Sequence, residues 1–421
     1  MPETVDYLII GGGVAGVTAA TEIRDNKPDA SIAIISQEPV CFYSRVLLSN
    51  YLMGEIKREK LILRDEEWFG NQNIKLFLNE SVTLLDAKSH KVMTSKNREI
   101  GYDKLLIATG VKPKILPVAG GDLPGVFYLW NMEDADHILA EIENIKKLPR
   151  EQQVIAVIGG GFICQSLVKI FTAHDLLVHL LMRGKYYWSK FISEAGGILL
   201  DKRFEENNII MHKEVQVREI VRQDDSALII KTESGEEINA AMVIVGVGTL
   251  ANTDWLEGSG IELDNGIKVN ERMETNLVDV YAAGDVVNFY DPFLEDHHRK
   301  GNWVNASRQG RVVGINMAGG NEKFNEVTSF TVNVFGLNFI FLGEYNRAMA
   351  EQVVVRSEKD TVREYYFKND RLIGAALINC PQDRPLIEKA IKDKIKLLKS
   401  EQLSLSEASM PLEDSKIYGA K

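Results

Sequence analysis

Two stretches of the chain pass from a short apolar run into closely spaced glycines and then into a helical pattern. The first begins at Tyr7, continues as a helix predicted from Val14 to about Asp25, and reaches a second apolar run at Ile32–Ile35. The second begins at Val154 and reaches its next apolar run at Leu177–Leu181. Short apolar runs bounded by glycines favour buried parallel strands, so each stretch predicts a strand, a helix and a second strand.

The glycines of the first stretch, here called the first glycine motif (residues 11–16), stand where a dinucleotide would be bound. Gly11 permits a tight turn, Gly13 lets the backbone approach a pyrophosphate, and Gly16 lets helix and strand pack closely. The free N–H groups at the start of the helix and its positive dipole end favour phosphate. Glu38 lies 22 positions after Gly16, close to the roughly 20-residue spacing of an acid that binds a ribose hydroxyl. The motif therefore predicts a dinucleotide site.

Breaker residues and further apolar runs organise the rest of the chain. Prolines and glycines concentrate between Pro113 and Gly125, and a glycine-containing crossover begins at Gly246, so both places favour passages between domains. An apolar run that ends at Asp285 delivers a carboxylate to the carboxyl end of a strand, where open α/β sheets bind ligands. The remaining predicted elements are helices at Met132–Lys147, at about Asn305–Met317 and at 384–400, with several strands across 328–380.

Composition narrows the class of protein. The 421 residues, 45% hydrophobic and 26% charged, are typical of a soluble globular protein with two or three domains. The net charge of -11 argues against nucleic acid or an anionic membrane as a general partner. Three cysteines without a paired motif predict neither a disulfide framework nor a metal site, and a cytoplasmic protein is expected. We expect no signal peptide and no membrane span, because the longest apolar run, 240–251, is too short.

The two glycine motifs together with Thr275–Asp285 resemble the FAD-dependent pyridine nucleotide-disulfide oxidoreductase superfamily. The crossovers Ala108–Gly110 and Gly246–Gly248 match the linkers between its domains, and the match covers residues 5 to about 320. The resemblance implies an α/β fold with two Rossmann-like, doubly wound nucleotide-binding domains, the second inserted in the first, and a smaller α+β C-terminal domain. The expected boundaries are 1–115 with 250–325 for FAD, 116–249 for NAD(P)H, 326–400 for the C-terminal domain and 401–421 for a tail.

The segment Glu38–Ser49 is similar to the subgroup without a redox-active disulfide. That subgroup includes rubredoxin and ferredoxin reductases, the flavin part of nitrite reductases and apoptosis-inducing-factor-like proteins. The resemblance implies FAD at the first glycine motif, with Arg45 at its diphosphate and Asp285 at its ribityl-phosphate region, and NADH or NADPH at the second motif. Trp303 is expected either beside the flavin and nicotinamide rings or in a core or interface. The expected cofactor-binding residues are Gly11, Gly13, Gly16, Glu38, Arg45, Val82, Ala108, Thr109, Gly110, Gly159, Gly161, Arg183, Gly248, Gly284 and Asp285.

The second glycine motif (residues 159–164) and its surroundings depart from the family pattern in three places. Cys164 stands at the third glycine, and we interpret it as a buried small residue rather than an activated thiol. Met182 stands where an acid would favour NADH, and Arg183 either accepts the 2′-phosphate of NADPH or is a solvated turn charge. Asn50 and Ser166 stand where relatives carry a Lys–Glu ion pair. Both residues, and Trp303 as well, are candidate neighbours of the flavin. Losing both charges avoids the roughly 3 to 5 kcal/mol that one buried unpaired charge costs.

Two further features have a preferred structural interpretation. Cys41 lies four positions before Arg45, and a packed cysteine is preferred to a redox-active one because the Tyr-Ser-Arg segment occupies the aligned place. His297 and His298 predict a surface turn, because no further ligands are spaced to form a metal site with them. No metal site is therefore expected.

The sequence leads to the hypothesis of a FAD-dependent NAD(P)H oxidoreductase that passes hydride from nicotinamide to flavin and electrons to a separate acceptor. The cofactor performs this chemistry, so no side chain is required as acid or base in the hydride step. The acceptor stays open among rubredoxin, ferredoxin, a reductase subunit and small molecules. The alternative, favoured by Cys164, Met182 and Ser166, is a flavin-binding regulatory or assembly protein with poor NAD(P)H turnover. An apolar stripe from Leu386 to Leu398 fits either a homodimer contact or packing within its own domain.

Overall fold

A computed structural model describes residues 3–223, 227–407 and 412–419 of the chain. The predicted α/β class is confirmed, because helices and strands alternate and parallel sheets dominate the first two thirds of the chain. The helices within the described residues are α1 (Val14–Asn26), α2 (Leu48–Leu52), α3 (Glu66–Asn71), α4 (Met132–Ile145), α5 (Phe162–Ala173), α6 (Glu194–Glu206), α7 (Trp303–Met317), α8 (Arg384–Lys392) and α9 (Lys399–Ser404).

The strands, in chain order, cover nearly every apolar run noted in the sequence. In the described residues they are β1 (Glu3–Ile10), β2 (Ile32–Ile35), β3 (Ile74–Phe77), β4 (Val82–Asp86), β5 (Lys91–Thr94), β6 (Glu99–Ile107), β7 (Val111–Pro113), β8 (Val126–Phe127), β9 (Val154–Ile158), β10 (Leu177–Leu181), β11 (Ile209–His212), β12 (Val217–Arg222), β13 (Leu228–Thr232), β14 (Glu237–Ala240), β15 (Met242–Val245), β16 (Thr249–Ala251), β17 (Ile267–Val269), β18 (Val280–Ala282), β19 (Val287–Asp291), β20 (Asp296–His298), β21 (Ser329–Val334), β22 (Leu337–Gly343), β23 (Gln352–Glu358), β24 (Thr361–Lys368) and β25 (Arg371–Ile378).

Unit 1, the first of two compact units, comprises the described residues within Met1–Leu47, Ile56–Lys112 and Thr249–Glu326. Its main sheet has the order β3-β2-β1-β6-β5-β4, and β18 also pairs with β6. Strands β17, β19 and β20 form a small sheet, and β16 pairs with β7. Side chains of the main sheet, α1 and α7 form one buried apolar core.

Helices α1 and α7 approach each other closely because glycines lie on the contacting face of α7. A Cβ atom on Gly310 would lie 2.4 Å from the Ala15 carbonyl oxygen, and one on Gly314 would lie 2.7 Å from the Ala19 carbonyl oxygen. Larger residues would push the helices apart. Since α1 begins within the first glycine motif and α7 lies after Asp285 in the chain, this contact holds the two segments together.

Unit 2 comprises the described residues within Leu48–Glu55, Pro113–Gly248 and Val327–Lys421. Its parallel sheet has the order β11-β10-β9-β15-β8, and the antiparallel sheet β12-β13-β14 packs on it through a buried apolar cluster. The antiparallel sheet β21-β22-β25-β24-β23, here called the C-terminal sheet, carries α8 against β22 and β25. The boundaries expected from the family resemblance stay predictions.

The predicted helix across 384–400 is wrong in its second half. Helix α8 ends at Lys392, and Lys394 adopts a left-handed backbone with φ of 51°. The chain then bridges to β25 and buries Leu397, so that Leu398 is 68% exposed. The apolar stripe is therefore limited to the residues that α8 buries, Ile387, Ala390 and Ile391.

The prediction of a surface turn at the histidine pair is also wrong. His297 and His298 are half-buried on β20, which pairs with β19. The His298 Nε2 atom lies 3.3 Å from the Asp291 Oδ2 atom, and its ring packs edge-on against Phe289. The antiparallel partner strand and this buried carboxylate draw the pair inward.

Beyond residue 400, Ile417 is 1% exposed, and the Tyr418 hydroxyl lies 2.8 Å from that of Tyr365. In the part of the chain that the structure describes, no helix is long and apolar enough to cross a bilayer.

Candidate cofactor-binding sites

Four neighbouring parallel strands of unit 1 end in the same row of the sheet. Ile10 pairs with Ile35 and with Ile107, and Ile107 pairs with Ala282. The segments that follow these strands contain the first glycine motif, Glu38, Ala108–Gly110 and Gly284–Asp285. Because parallel strands carry their carboxyl ends to one edge, candidate residues far apart in sequence meet there.

The first glycine motif has the geometry that phosphate binding requires. Gly11 has a φ of 118°, and a Cβ atom there would lie 2.2 Å from the Ala108 carbonyl oxygen. A Cβ atom on Gly16 would lie 2.1 Å from the Gly11 carbonyl oxygen. A Cβ atom on Gly13, by contrast, would meet no described atom within 4 Å, and no side chain caps α1 at this residue. The N-terminal N–H groups of α1 therefore face open space that suits a phosphate.

Glu38 and Arg45 lie together at this edge. The Tyr43 hydroxyl donates a 2.7 Å hydrogen bond to Glu38 Oε2, and Arg45 forms an ion pair with the same carboxylate. The Arg45 guanidinium also lies 5.3 Å from the centre of the Tyr43 ring. The predicted ribose-binding acid and diphosphate-binding base thus hold each other in position.

Asp285 is half-buried and lies near basic groups. Burial raises the pKa of its carboxyl group, and the nearby Arg299 and Arg45 guanidinium groups oppose that rise. Arg299 donates a 3.1 Å hydrogen bond to the Thr249 carbonyl oxygen. A Cβ atom on Gly301 would lie 2.6 Å from Asp285 Cγ, so a larger residue there would require the carboxylate to shift.

Gln309 is a site residue that the sequence did not reveal. Its side chain, 1% exposed on α7, accepts a 2.8 Å hydrogen bond from the Gly284 N–H group through Oε1. Its Nε2 atom has no hydrogen-bond partner among the described residues. A polar side chain on the buried face of a predicted helix was the only available signal.

These features fit a bound FAD. The open N-terminus of α1 suits its pyrophosphate, Glu38 suits a ribose, and two buried donors, Gln309 Nε2 and Arg299 Nε, have no partner in the described structure. Donors left unpaired in a protein interior are uncommon, because desolvation is unfavourable without a hydrogen bond.

The other residues expected to bind FAD occupy the strand ends and the linker. Val82 is buried at the start of β4, opposite Thr94. The Thr109 hydroxyl donates to the Asn252 carbonyl oxygen, and the Asn252 N–H group donates to the Gly110 carbonyl oxygen. These contacts join the two passages of the chain in unit 1, and direct binding of FAD by these residues stays a prediction.

Unit 2 contains the second glycine motif between β9 and α5. Gly159 has a φ of 138°, and a Cβ atom there would lie 2.4 Å from the Gly246 carbonyl oxygen. Gly161 is the N-cap of α5. Gly248, exposed at a φ of 114°, accepts a 2.9 Å hydrogen bond from the Lys114 N–H group. The motif therefore repeats the strand, turn and helix of the first.

Cys164 is fully buried, and its Sγ atom lies 3.4 Å from the Gly246 carbonyl oxygen. Burial raises the pKa of this thiol to about 12. This result fits the interpretation of a small packed residue, since an activated cysteine has a lowered pKa.

Two candidate residues follow the carboxyl end of β10, one buried and one exposed. Met182 is 3% exposed and donates its N–H group to the His212 carbonyl oxygen, whereas Arg183 is exposed. The backbone thus directs Met182 into the core and the next side chain to solvent. The role of Arg183 in binding a 2′-phosphate stays a prediction.

Asn50 and Ser166 lie on helices α2 and α5 of unit 2, which contact each other. Asn50 donates a 2.5 Å hydrogen bond to Glu55, and Ser166 accepts a 2.6 Å bond from Gln165. Each side chain thus has a partner on its own segment.

Trp303 begins α7 in unit 1, where its half-buried ring stacks on Phe42 with centroids 5.8 Å apart and planes 11° apart. Cys41 is half-buried, and burial raises the pKa of its thiol, with smaller contributions from Glu66 and Asp65. Within the described residues, no group of three or more His, Cys, Asp or Glu side chains could hold a metal ion.

The chain is similar over most of its length to several known proteins. It is 29% identical over 384 residues to mouse apoptosis-inducing factor 3, covering 90% of the chain and 61% of that protein. It is 26% identical over 386 residues to rubredoxin-NAD(+) reductase of Pseudomonas putida, covering 91% of the chain and 98% of that protein. The fold matches the crystal structure of the covalent putidaredoxin reductase-putidaredoxin complex with a TM-score of 0.87 and 24% identity, over 99% of this chain and 98% of that one.

The chain spans less than two thirds of the length of some of these relatives, 61% in the case of the mouse protein. The family described as pyridine nucleotide-disulphide oxidoreductase matches residues 5–310, which is more than half of the chain. The chain therefore belongs to the pyridine nucleotide-disulphide oxidoreductase family, whose members are FAD- and NAD(P)H-dependent oxidoreductases, as its motifs predict.

Proposed function

We propose that this protein oxidises NADH or NADPH with FAD as its cofactor and passes the electrons to a separate acceptor. The observation that carries the proposal is the row of strand ends in unit 1, which gathers the first glycine motif, Ala108 and Gly284 at one edge. A second, independent glycine motif lies in unit 2. A chain with two such sites suits one tightly held dinucleotide and one exchanging dinucleotide.

In unit 1, each polar group has a task that its position supports. The α1 N-terminus would hold the pyrophosphate, Glu38 and Arg45 would hold ribose and diphosphate, and Asp285 would orient the chain that joins phosphate to flavin. FAD, when bound, supplies the capacity to accept a hydride and to release electrons. The side chains contribute orientation and electrostatics rather than acid or base catalysis.

In unit 2, the N-terminus of α5 would hold the pyrophosphate of the nicotinamide nucleotide. Cys164 does not obstruct this use, because Gly159 and Gly246 leave space for its sulfur atom. This fit weakens one of the features that favour a regulatory protein with poor turnover.

We further propose that the acceptor is a small redox protein, such as a rubredoxin or a ferredoxin, or a small molecule. The names of two relatives support this class, one a rubredoxin reductase and the other a putidaredoxin reductase in complex with putidaredoxin. A cytoplasmic location is proposed because all three cysteines are free.

Anaerobic mixing of the FAD-loaded protein with NADH or NADPH tests the proposal. Rapid loss of the oxidised flavin absorbance is expected with at least one nucleotide. Addition of rubredoxin, ferredoxin or dioxygen to the reduced protein should then restore it at different rates and so identify the acceptor class.

A matched control uses a protein with the second site impaired and the first intact. Gly159 lies in unit 2 at a φ of 138°, so Gly159→Val should prevent reduction by nucleotide while FAD stays bound. Dithionite should still reduce the flavin of this variant. If the wild-type protein binds FAD but neither NADH nor NADPH reduces that flavin, the proposal is contradicted and the regulatory alternative is favoured.

A further inference from the structure

A tyrosine side chain forms a hydrogen bond with the backbone of the second glycine motif. Tyr187 is fully buried, and its hydroxyl group donates a 2.7 Å hydrogen bond to the Gly161 carbonyl oxygen. Gly161 is the N-cap residue, directly before the first residue of α5. Tyr187 lies 26 positions further along the chain, in the segment Tyr186–Ser193 between β10 and α6, here called the brace.

This hydrogen bond helps to fix the orientation of a functional peptide group, together with the Cys164 N–H group, which donates to the same carbonyl oxygen at 3.2 Å. In a trans peptide plane, the carbonyl group of Gly161 and the N–H group of Phe162 point in opposite directions. A partner that holds the carbonyl on one side therefore directs the N–H group to the other side. That N–H group belongs to the first turn of α5, whose donors have no partner within the helix and are available to an anion.

The brace is in turn attached by its backbone to β24 of the C-terminal sheet and to Arg347, which lies in the turn that joins β22 to β23. Within unit 2, each of four consecutive brace residues has a backbone group bonded to residues 347–366. Arg347 donates from its N–H group to the Lys190 carbonyl at 3.1 Å and from Nη1 to the Ile192 carbonyl at 3.0 Å. The Tyr366 hydroxyl donates to the Phe191 carbonyl at 2.7 Å. The Ser193 N–H group donates to the Glu364 carboxylate at 2.7 Å.

The Glu364 carboxylate is the central anchor of this attachment. It is fully buried and also accepts bonds from the Ser193 hydroxyl at 2.7 Å and the Tyr366 hydroxyl at 3.1 Å. Buried carboxylates are unfavourable unless hydrogen bonds compensate for desolvation, so this position constrains both Ser193 and Tyr366.

The conformation of the brace is unusual and is maintained by packing. Trp188 adopts a left-handed backbone with φ of 59°, which is strained for a bulky residue, and is 2% exposed. Gly196 and Gly197 of α6 leave the required space. A Cβ atom on Gly196 would lie 2.7 Å from Ile378, and one on Gly197 would lie 2.1 Å from the Tyr186 ring.

The side chain of Phe162 provides a second link between the same elements. Its ring lies 4.9 Å from that of Trp188 and 4.7 Å from that of Phe191, both in the brace. It also contacts Phe330 and Phe341 of the C-terminal sheet, at 4.8 and 5.2 Å. The first residue of α5 is thus held on its backbone and on its side chain.

We propose that the brace is a positioning device. Strand β24 and the turn that joins β22 to β23 hold residues 190–193, and Tyr187 holds the Gly161 carbonyl so that α5 presents its N-terminal N–H groups to the pyrophosphate of NADH or NADPH. Tyr187 is a positioning residue and does not itself contact the nucleotide. The proposal rests on the proposed function, since it assigns α5 to the nicotinamide nucleotide. It gives the C-terminal sheet a part in nucleotide binding.

Two adjacent tyrosines of β24 allow a matched test. Tyr366 bonds to the brace, whereas Tyr365 bonds to Tyr418, and both are fully buried. The Tyr187→Phe, Tyr366→Phe and Tyr365→Phe variants each remove one hydroxyl group. Their FAD-loaded forms are compared by calorimetric titration with ADP-ribose, which contains the pyrophosphate but no nicotinamide and so cannot donate a hydride. They are also compared by steady-state kinetics with the preferred nucleotide.

Tyr187→Phe and Tyr366→Phe should raise the Kd for ADP-ribose and the KM for the nucleotide about three- to tenfold, the effect of losing one hydrogen bond. The kcat at saturating nucleotide and the FAD content should stay close to wild type. Tyr365→Phe should lower the melting temperature without changing either constant. Equal nucleotide constants in all three variants would overturn the proposal, even if all three are less stable.

Failure of the proposed function would give a different result. The wild-type protein would then bind neither ADP-ribose nor NADH nor NADPH. Binding by the wild type with unchanged constants in Tyr187→Phe contradicts only the role of the brace. If Tyr187→Phe does not fold, Tyr366→Phe still tests the proposal, because it removes a bond between the C-terminal sheet and the brace.

Discussion

The side chain of Cys164, which replaces the third glycine of the second glycine motif, lies in space that Gly246 leaves open. A Cβ atom on Gly246 would lie 2.5 Å from the Cys164 sulfur atom, and one on Gly159 would lie 2.8 Å from it. The missing glycine of α5 is therefore compensated at the end of β15. Helix α5 and strand β15 stay close because the Cys164 side chain fits into the space that Gly246 and Gly159 leave.

Replacement of Gly246 by alanine should lower the free energy of unfolding by about 1 to 3 kcal/mol, because the added methyl group overpacks against Cys164 and Ile163. Cys164→Ala in the same protein should recover part of the loss, which a double-mutant cycle in urea measures. Gly70→Ala is the control, since a Cβ atom there would meet no described atom within 4 Å. Additive effects of Gly246→Ala and Cys164→Ala would show that the two residues do not share this space.

The three cysteines should differ in reactivity. Burial raises the pKa of Cys164 and of Cys380 to about 12, so at about pH 8 roughly one thiol in ten thousand is ionised. Cys41 is only half-buried. A disulfide reagent should therefore modify Cys41 first in the native protein and all three thiols in denaturant. Rapid native labelling of a Cys41→Ser variant would contradict this order.

A histidine pair in unit 2 should make stability sensitive to acid. The His179 Nδ1 atom lies 2.9 Å from His212 Nε2, and His212 Nδ1 lies 2.8 Å from the Glu236 carboxylate. Burial lowers the pKa of His179 and His212 lowers it further, whereas Glu236 opposes the shift. The unfolded state then takes up its proton first, near pH 6.5. Stability is therefore complete above that pH and declines as the pH falls towards the lower folded pKa.

Replacement of His179 by glutamine should remove this part of the acid dependence. Urea midpoints measured between about pH 7.5 and about pH 5.5 should decline less steeply in His179→Gln than in the wild type. His137, exposed on α4, supplies the control variant His137→Gln. If the wild type and His179→Gln decline equally, the acid sensitivity has another origin.

Arg183 provides a test of nucleotide preference. Because Met182 is buried and Arg183 is exposed at the end of β10, Arg183→Ala should lower the preference for NADPH over NADH about tenfold, as expected for one charge-assisted bond to a 2′-phosphate. Flavin reduction rates with each nucleotide measure the ratio. Lys202→Ala removes an equal charge from α6 and should leave the ratio unchanged. An unchanged ratio in Arg183→Ala would make Arg183 a solvated turn charge.

The sequence predicted the parts of the fold that depend on local pattern. Apolar runs and glycines specify where β1 and β9 end, and parallel pairing then brings Ile10, Ile107 and Ala282 into one row. The end of α8 could not be predicted in this way. No glycine or proline lies within residues 393–400, and Ile395 continues the helical period. The helix ends because the chain bridges to β25 and buries Leu397, which are tertiary effects.

Contacts distant in sequence explain why Gln309 and Tyr187 were missed. The partner of Gln309, Gly284, is 25 residues away, and Gly161 is 26 residues from Tyr187. Neither glutamine in a helix nor tyrosine in a loop has a distinctive local pattern. Their roles become visible only when the backbone groups that they hold are known.

Gln309 offers the sharpest test of the FAD site in unit 1. Its Oε1 atom is bonded to Gly284, and its buried Nε2 atom has no partner among the described residues, so a bound FAD would satisfy it. Asn316, another buried amide on α7, uses its Nδ2 atom for bonds to the Arg272 and Glu322 carbonyl oxygens, at 3.0 and 2.8 Å. The two amides lie on one helix and differ in whether their donors are already used.

The variants Gln309→Met and Asn316→Leu should both lower the free energy of unfolding of the FAD-free protein by about 1 to 3 kcal/mol, because each leaves buried backbone groups unpaired. Only Gln309→Met should also weaken FAD binding, by about three- to tenfold, because it alone removes a donor available to FAD. Titration of the FAD-free proteins with FAD, followed by flavin fluorescence, separates the two effects. Equal FAD affinity in both variants would mean that Gln309 only supports the Gly284 turn, since a purely structural role would affect both amides alike.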